Sequence, residues 1–126
     1  MKISSKQAWD AMTQLFEILR GEQDAGHLAA APMNADTAFI VNGISITDQQ
    51  QMMSLKKIDH SRSTALSLRN TLNKIAHYEK ATFRVDKRNA HYLLLAGVYK
   101  NNHWIAEILV SKLCKNAATA IQAITG

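Results

Sequence analysis

The chain has 126 residues, of which 47% are hydrophobic and 20% charged. This length and composition exclude a disordered or fibrous protein and predict a single folded domain over residues 1–126. The single cysteine, Cys114, excludes an intrachain disulfide, and no apolar run approaches the roughly 20 residues of a membrane-spanning helix. We therefore expect a soluble protein of the cytoplasm that does not bind membranes.

The net charge of +5 is unevenly distributed along the sequence. Residues 1–55 carry three basic and six acidic side chains, whereas residues 56–126 carry twelve basic and four acidic ones. A basic half of this kind is typical of proteins that contact a polyanion, so RNA is a candidate partner of the C-terminal half. The same distribution also fits lysines spread over a solvated face, which is the interpretation that we favour.

The first predicted element is an amphipathic helix. Ser4 and Gln7 fit a capping box, in which the two side chains bond the free backbone groups at a helix start. Apolar residues then recur at spacings of three and four between residues 8 and 19, which predicts one buried stripe. Gly21 is suited to the left-handed conformation that often ends a helix.

Residues 35–47 fit two structures. Asn42-Gly43 lies between two apolar stretches, and such a pair is a strong signal for a β-hairpin turn. Alternatively, Asn34 or Asp36 caps a short helix that Gly43 terminates. We favour the short helix.

A long helical pattern follows, from residue 49 to residue 78, after a second capping box at Thr47 and Gln50. One straight helix of this length would span about 45 Å, which is more than a domain of this size usually holds. We expect a break near Asp59-His60-Ser61, because Asp and Ser favour caps over helix interiors. Whether residues 48–79 form one helix or two stays open.

After Lys80 the apolar pattern changes from helical to alternating, which predicts β-structure. Residues 82–85 fit a short strand, and residues 91–110 fit a β-hairpin with its turn at Asn101-Asn102. Ser111 then caps a final helix.

The predicted fold class is α+β and mostly helical. We expect an antiparallel helix bundle, a C-terminal β-hairpin (residues 91–110) packed against it, and a final helix (residues 111–125). One core should contain the apolar residues Leu68, Leu72, Ile75, Ile108 and Ile121.

One polar strip stands out in a sequence that lacks catalytic and metal-binding motifs. Arg62, Arg69, Asn73 and His77 line the edge of an apolar helical arc, and the last three are spaced four residues apart. An arginine, an amide and an imidazole in a row are suited to a phosphate or a carboxylate. The alternative is that they bond neighbouring loops at the edge of the core. We take these four as candidate binding residues, with no catalytic residue, metal or cofactor assigned.

Residues 68–78, LRNTLNKIAHY, resemble the signature helix of HEPN-like domains, which are small helical bundles that often dimerise. The family motif is an Arg, commonly followed by Asn, then four to six residues and a His; here seven residues separate Arg69 from His77. Several members are metal-independent RNases that place the Arg and His in a cleft between protomers. Residues 65–124 are also similar to uncharacterised proteins of integron mobile gene cassettes, which implies a genetic context without an activity.

We favour a non-enzymatic interaction or accessory module that forms a homodimer. Its contact surface would be the basic half or the hairpin aromatics Tyr92, Tyr99 and Trp104. A homodimer is expected because the apolar seam from residue 55 to 75 is long and the hairpin is apolar on both faces. The alternatives are a HEPN-like RNA-binding protein or RNase that uses Arg69, Asn73 and His77, and a small-ligand-binding domain.

Overall fold

A computed structural model of the chain describes residues 10, 13–14, 16–18, 21 and 30–125. The described residues from 10 to 21 are helical, in agreement with the predicted first helix, while its capping box at Ser4 and Gln7 lies outside the described residues. Gly21 is itself helical and does not adopt a positive φ. The prediction that Gly21 supplies a left-handed residue at the helix end is therefore wrong.

Residues 30–125 form a five-stranded antiparallel sheet with helices packed on both of its faces. The strands are β1 (Asp36–Ile44), β2 (Thr64–Ser67), β3 (Lys80–Val85), β4 (His91–Tyr99) and β5 (Asn102–Leu109), in the order β2-β1-β5-β4-β3. The helices are α1 (Ile46–Leu55), α2 (Leu68–His77) and α3 (Val110–Thr125), together with a helical turn, Ala30–Met33, and a 3-10 turn, His60–Arg62.

This sheet contradicts the predicted helix bundle with a hairpin packed against it. The predicted hairpin and final helix are present, but β4 and β5 are inner strands of the sheet, since β1 pairs with β5 and β3 pairs with β4. The hairpin turns at Lys100 and Asn101, one residue earlier than predicted, with φ values of 49° and 66°. Two consecutive positive φ angles are the pattern of a type I′ turn, whose twist matches that of the strands.

Strand β1 replaces the short helix favoured for residues 35–47. It pairs with β2 on one side and with β5 on the other, and its buried residues contribute to the cores on both faces of the sheet. Gly43 has a φ of 65° where the pairing register shifts between Asn42 and Ile44. Gly43 therefore makes a bulge inside the strand pair, and both the hairpin and the helix interpretation are wrong.

The predicted break in the helical pattern near residue 59 is confirmed. It contains the 3-10 turn and also strand β2. The Asp59 carboxylate accepts hydrogen bonds from the hydroxyl and the backbone N–H of Ser61, which lower the pKa of Asp59 and cap the 3-10 turn. Strand β2 follows, and α2 begins only after Ser67. Helix α1 is capped by Ser45, whose Oγ accepts from the Asp48 N–H, so the capping box predicted at Thr47 is wrong by two residues.

The final helix begins at Val110, directly after β5, so Ser111 lies inside the helix and the predicted cap there is wrong. The helix follows β5 without a loop and packs across the sheet beside α2. Its half-buried Ile121 contacts the core as predicted.

Two apolar cores lie on opposite faces of the sheet, because successive side chains of a strand point to opposite faces. Helices α2 and α3 cover one face, and α1 covers the other. The first core contains the predicted residues Leu68, Leu72, Ile75 and Ile108 together with residues such as Trp104 and Leu113. The second contains Val41, Ile44, Met52, Ile58, Leu94 and Ile105. Helices of the same chain thus cover both apolar faces of the hairpin.

Gly97 is required by the buried indole of Trp104, its partner across the β4–β5 pair. A Cβ atom at residue 97 would lie 2.6 Å from Cζ2 of Trp104, closer than real Cβ contacts. We expect Gly97→Ala to lower the free energy of unfolding by about 1–3 kcal/mol in a urea titration, because the enclosed ring must move.

Gly21→Ala is the matched control for this substitution. A Cβ atom at residue 21 meets nothing within 4 Å, and alanine favours a helix more than glycine does. Equal destabilisation by both substitutions would show that the Trp104 contact is not the cause.

Candidate functional site

Helix α2 carries three of the four predicted binding residues. Arg69, Asn73 and His77 are exposed along one side of the helix, because residues four apart in a helix lie above one another. Ser67 caps this helix by accepting a hydrogen bond from the Asn70 N–H. The cap fixes the start of the helix, and burial of Leu68, Leu72 and Ile75 turns the opposite side toward the solvent.

Arg62 does not belong to this strip. It lies in the 3-10 turn, separated from α2 by β2, and its Nη1 lies 3.4 Å from Oδ2 of Asp48. The predicted alignment of Arg62 with Arg69 assumed one continuous helical pattern, and the break in that pattern directs the two arginines to different places.

A groove of about 560 Å³ lies between α2 and the β4–β5 hairpin. Asn73 and His77 line one of its walls. Its other lining residues are Lys74, Glu79, Val98, Tyr99 and Trp104. The structure therefore brings two of the predicted residues together with two hairpin aromatics, whereas Arg69 lies one helical turn away from Asn73 and outside the groove.

A second cavity, of about 340 Å³, shares Lys74, Tyr99 and Trp104 with the groove. It extends to the bulge of β1 at Asn42 and Gly43. Lys74 therefore lines both hollows. We call these two neighbouring hollows together the α2–hairpin groove.

Two lysine side chains lie close to the exposed ring of Tyr99 in this groove. The Nζ atom of Lys74 lies 4.8 Å from the ring centroid of Trp104 and 5.7 Å from that of Tyr99. The Nζ atom of Lys100, in the hairpin turn, lies 5.3 Å from the Tyr99 centroid. Trp104 is buried, but Tyr99 is 61% exposed. Tyr99 thus offers a solvent-facing ring with two ammonium groups beside it.

Partial burial of Lys74 against these rings lowers the pKa of its ammonium group below the ordinary value for lysine. Lys74 was not among the predicted site residues, because its neighbours on the hairpin are distant in sequence.

A second polar cluster lies on the opposite face of the sheet, around Glu107 of β5. Glu107 is only 4% exposed, and its Oε2 accepts a hydrogen bond of 3.1 Å from Nη1 of Arg84. Its Oε1 lies 2.9 Å from Nε2 of His60. Arg84 also donates to the Lys56 carbonyl and stacks on the ring of Tyr92. The cluster therefore fastens the segment after α1 to the sheet.

The geometry of this cluster is that of a structural network. A carboxylate beside a histidine can orient a general base, but here Arg84 shares the same carboxylate and no described hydroxyl or thiol bonds the His60 ring. In the described part of the chain, no group of three or more His, Cys, Asp or Glu side chains is placed to hold a metal ion.

Comparison of the chain with family models, with curated proteins and with solved structures found no match. The resemblances to HEPN-like domains at residues 68–78 and to gene-cassette proteins at residues 65–124 therefore stay predictions. The helix bundle that a HEPN-like domain implies is not the architecture of residues 30–125.

Among the described residues, no helix is both long and apolar enough to cross a membrane.

Proposed function

We propose that this protein is a non-enzymatic interaction module that binds single-stranded RNA in the α2–hairpin groove. The supporting observation is the exposed Tyr99 ring, with Lys74 and Lys100 beside it, in a groove that Asn73 and His77 line. Proteins bind single strands by stacking bases on aromatic rings beside cations that attract the phosphates. The proposal places the protein in the cytoplasm.

The exposed side of α2 extends this binding surface. Arg69 lies one turn before Asn73 and two turns before His77, so a strand leaving the groove can follow α2 with its phosphates near the guanidinium. The Asn73 amide and the His77 imidazole supply hydrogen bonds to base edges or phosphates. The excess of basic residues between 56 and 126 strengthens the attraction over a longer range.

Binding without cleavage fits this arrangement better than RNase activity. An RNase of the predicted type needs Arg69 and His77 at one phosphodiester bond, but only His77 lines the groove. Because the groove volume also falls in the range of small-ligand pockets, a mononucleotide is included in the test as a competitor.

The test is a titration of a labelled, mixed-sequence single-stranded RNA, followed by fluorescence anisotropy. We expect Tyr99→Ala to raise the dissociation constant about tenfold or more, because stacking contributes about 1–3 kcal/mol per base. Lys100→Gln should make the dissociation constant less sensitive to salt concentration, by the amount expected for the loss of about one phosphate contact. Duplex RNA should bind more weakly than the single strand, since paired bases cannot stack on Tyr99.

The controls are Leu55→Ala and Lys57→Gln, which remove an exposed apolar and an exposed basic side chain outside the groove. Both should bind RNA like the unmodified chain. Wild-type affinity for RNA in Tyr99→Ala would contradict the proposed site. If the protein degrades RNA on a gel and His77→Ala prevents the degradation, cleavage would replace binding as the function. If a mononucleotide binds as tightly as the single-stranded RNA, the small-ligand alternative would be favoured.

A further inference from the structure

The smaller hollow of the α2–hairpin groove, of about 340 Å³, has polar side chains of its own. The side-chain amides of Asn42 and Asn102 line it together with Tyr99 and Lys74, whereas the larger hollow lacks both of these asparagines. Both asparagines are exposed, and among the described residues neither side-chain amide takes part in a hydrogen bond. Each amide therefore has donors and an acceptor left for a ligand.

The pairing of the strands places these two amides on the same face of the sheet as the Tyr99 ring. Tyr99 lies opposite Asn102 in the β4–β5 pair. Asn42 lies opposite Trp104, which packs in the core beneath α2 and is two residues from Asn102 on the same face of β5. Asn102 is one strand away from Tyr99 and Asn42 two strands away, or roughly 5 and 10 Å across the sheet. A ring for stacking and groups for hydrogen bonding therefore border one hollow.

A β-bulge borders the same hollow. Gly43, with its φ of 65°, interrupts the regular pairing of β1 with β5 directly after Asn42. Bulges are over-represented next to functional sites, where they redirect a side chain. An ideal Cβ atom at residue 43 would meet nothing within 4 Å, so the space beside the bulge is open.

The chemistry of this lining favours adenine among the four bases. An amide offers a donor and an acceptor side by side, which match the 6-amino group of adenine and a neighbouring ring nitrogen. Cytosine is usually recognised by a carboxylate, and guanine by an arginine or a lysine. The described residues that line the smaller hollow include no carboxylate and no guanidinium, and the Lys74 ammonium lies over the Trp104 and Tyr99 rings. Uracil also matches an amide, but its smaller ring covers less of Tyr99.

We propose that the smaller hollow selects an adenine of the bound strand, which stacks on Tyr99 and bonds the amides of Asn42 and Asn102. This inference rests on the proposed binding of single-stranded RNA in the α2–hairpin groove and adds a base preference to it. Contacts between lysines and phosphates carry no information about the base, so the preference resides in the amides and the ring.

The first test uses the unmodified chain. A short oligo(U) strand, either plain or with one central A, G or C, competes with the labelled mixed-sequence RNA in the anisotropy assay. The strand with the central A should bind about fivefold more tightly than the others, or better, which is the lower limit for a bidentate contact between an amide and a base. Replacing this A by unsubstituted purine, which can still stack but lacks the 6-amino group, should remove most of the advantage.

The second test removes the two amides. In the double variant Asn42→Ala, Asn102→Ala, the dissociation constants of the A-containing strand and of oligo(U) should differ by no more than about twofold. Asn70→Ala makes the same change at an exposed position of α2 outside both hollows and should keep the full preference. Circular dichroism melts show whether the variants fold like the unmodified chain.

The outcomes separate the base preference from RNA binding itself. Equal binding of the four strands, or a preference for G, C or U, would overturn the adenine site. If Tyr99→Ala still weakens binding of the mixed-sequence RNA in that case, the groove stands without a base preference. A preference for A that survives in the double variant would show that the amides do not recognise the base, which contradicts the proposal. Failure of the unmodified chain to bind any RNA would overturn the groove and the base preference together.

Discussion

Replacement of Leu72 by alanine is expected to lower the free energy of unfolding by about 2–5 kcal/mol. Leu72 lies on the buried side of α2 and is 1% exposed. It packs in the core that α2 and α3 form with the sheet. The truncation removes buried methyl groups and leaves a cavity that the regular sheet cannot close. A urea titration followed by circular dichroism measures the loss.

Leu55→Ala makes the same chemical change where the side chain is 67% exposed, in the last turn of α1. We expect a change within about 0.5 kcal/mol there, which is the range of ordinary surface substitutions. A Leu72→Ala loss as small as that of Leu55→Ala would mean that α2 does not pack on the sheet through this side.

The elements predicted correctly are those whose signals are local. The two apolar strand segments β4 and β5 flank residues that tolerate positive φ, and Asp59 caps its own turn. Such signals involve residues only a few positions apart. The helical spacing of Leu68, Leu72 and Ile75 likewise predicted the buried side of α2.

Strand β1 was missed because long-range pairing determines its structure. Its partners in β5 lie between 59 and 70 positions later in the chain, and no local feature of residues 36–44 specifies them. As the strand is covered on both faces, it lacks the simple alternation of a half-exposed strand. The β-branched and aromatic content of its sequence, DTAFIVNGI, was the available signal.

The helical pattern predicted over residues 49–78 does not show the strand inside it, for a similar reason. Leu66 of β2 is buried in the same core as α2, but it reaches that core from a strand. Apolar spacing alone cannot distinguish two short helices separated by a strand from one interrupted helix, especially where the strand contains alanine and leucine. Arg62 was assigned to the wrong surface for this reason.

Only the α2 side of the candidate groove could be predicted from the sequence. The spacing of Arg69, Asn73 and His77 established that they share a side of α2, because a helix repeats locally. Lys74, Tyr99 and Trp104 join Asn73 and His77 only because β4 and β5 pack beside α2, and that contact depends on the whole sheet.

Glu107 shows a signal that sequence reasoning could have used. It is the only charged residue between Trp104 and Leu109, within the apolar run WIAEIL. A carboxylate in a strand of this kind is buried, and a buried charge requires a partner of opposite sign. The partner, Arg84, lies in the outermost strand on that side, so its identity depends on the strand order.

Arg84→Met is accordingly expected to lower the free energy of unfolding by about 3 kcal/mol. The substitution preserves an apolar stem but leaves the Glu107 carboxylate buried without its guanidinium partner. The Arg84 side chain is 27% exposed, so water reaches part of the site and keeps the loss at the lower end of values for buried pairs. Thermal and urea unfolding at neutral pH measure it.

Two further variants show whether the unpaired charge causes this loss. Adding Glu107→Gln to Arg84→Met should recover part of the stability, because a neutral amide needs no cation while its oxygen can still accept a hydrogen bond. Arg62→Met removes the exposed pair with Asp48, whose side chains are 44% and 42% exposed, and should cost no more than about 1 kcal/mol. If the double variant were instead less stable than Arg84→Met, the loss would come from the Lys56 and Tyr92 contacts of Arg84, and the carboxylate would not need a cation.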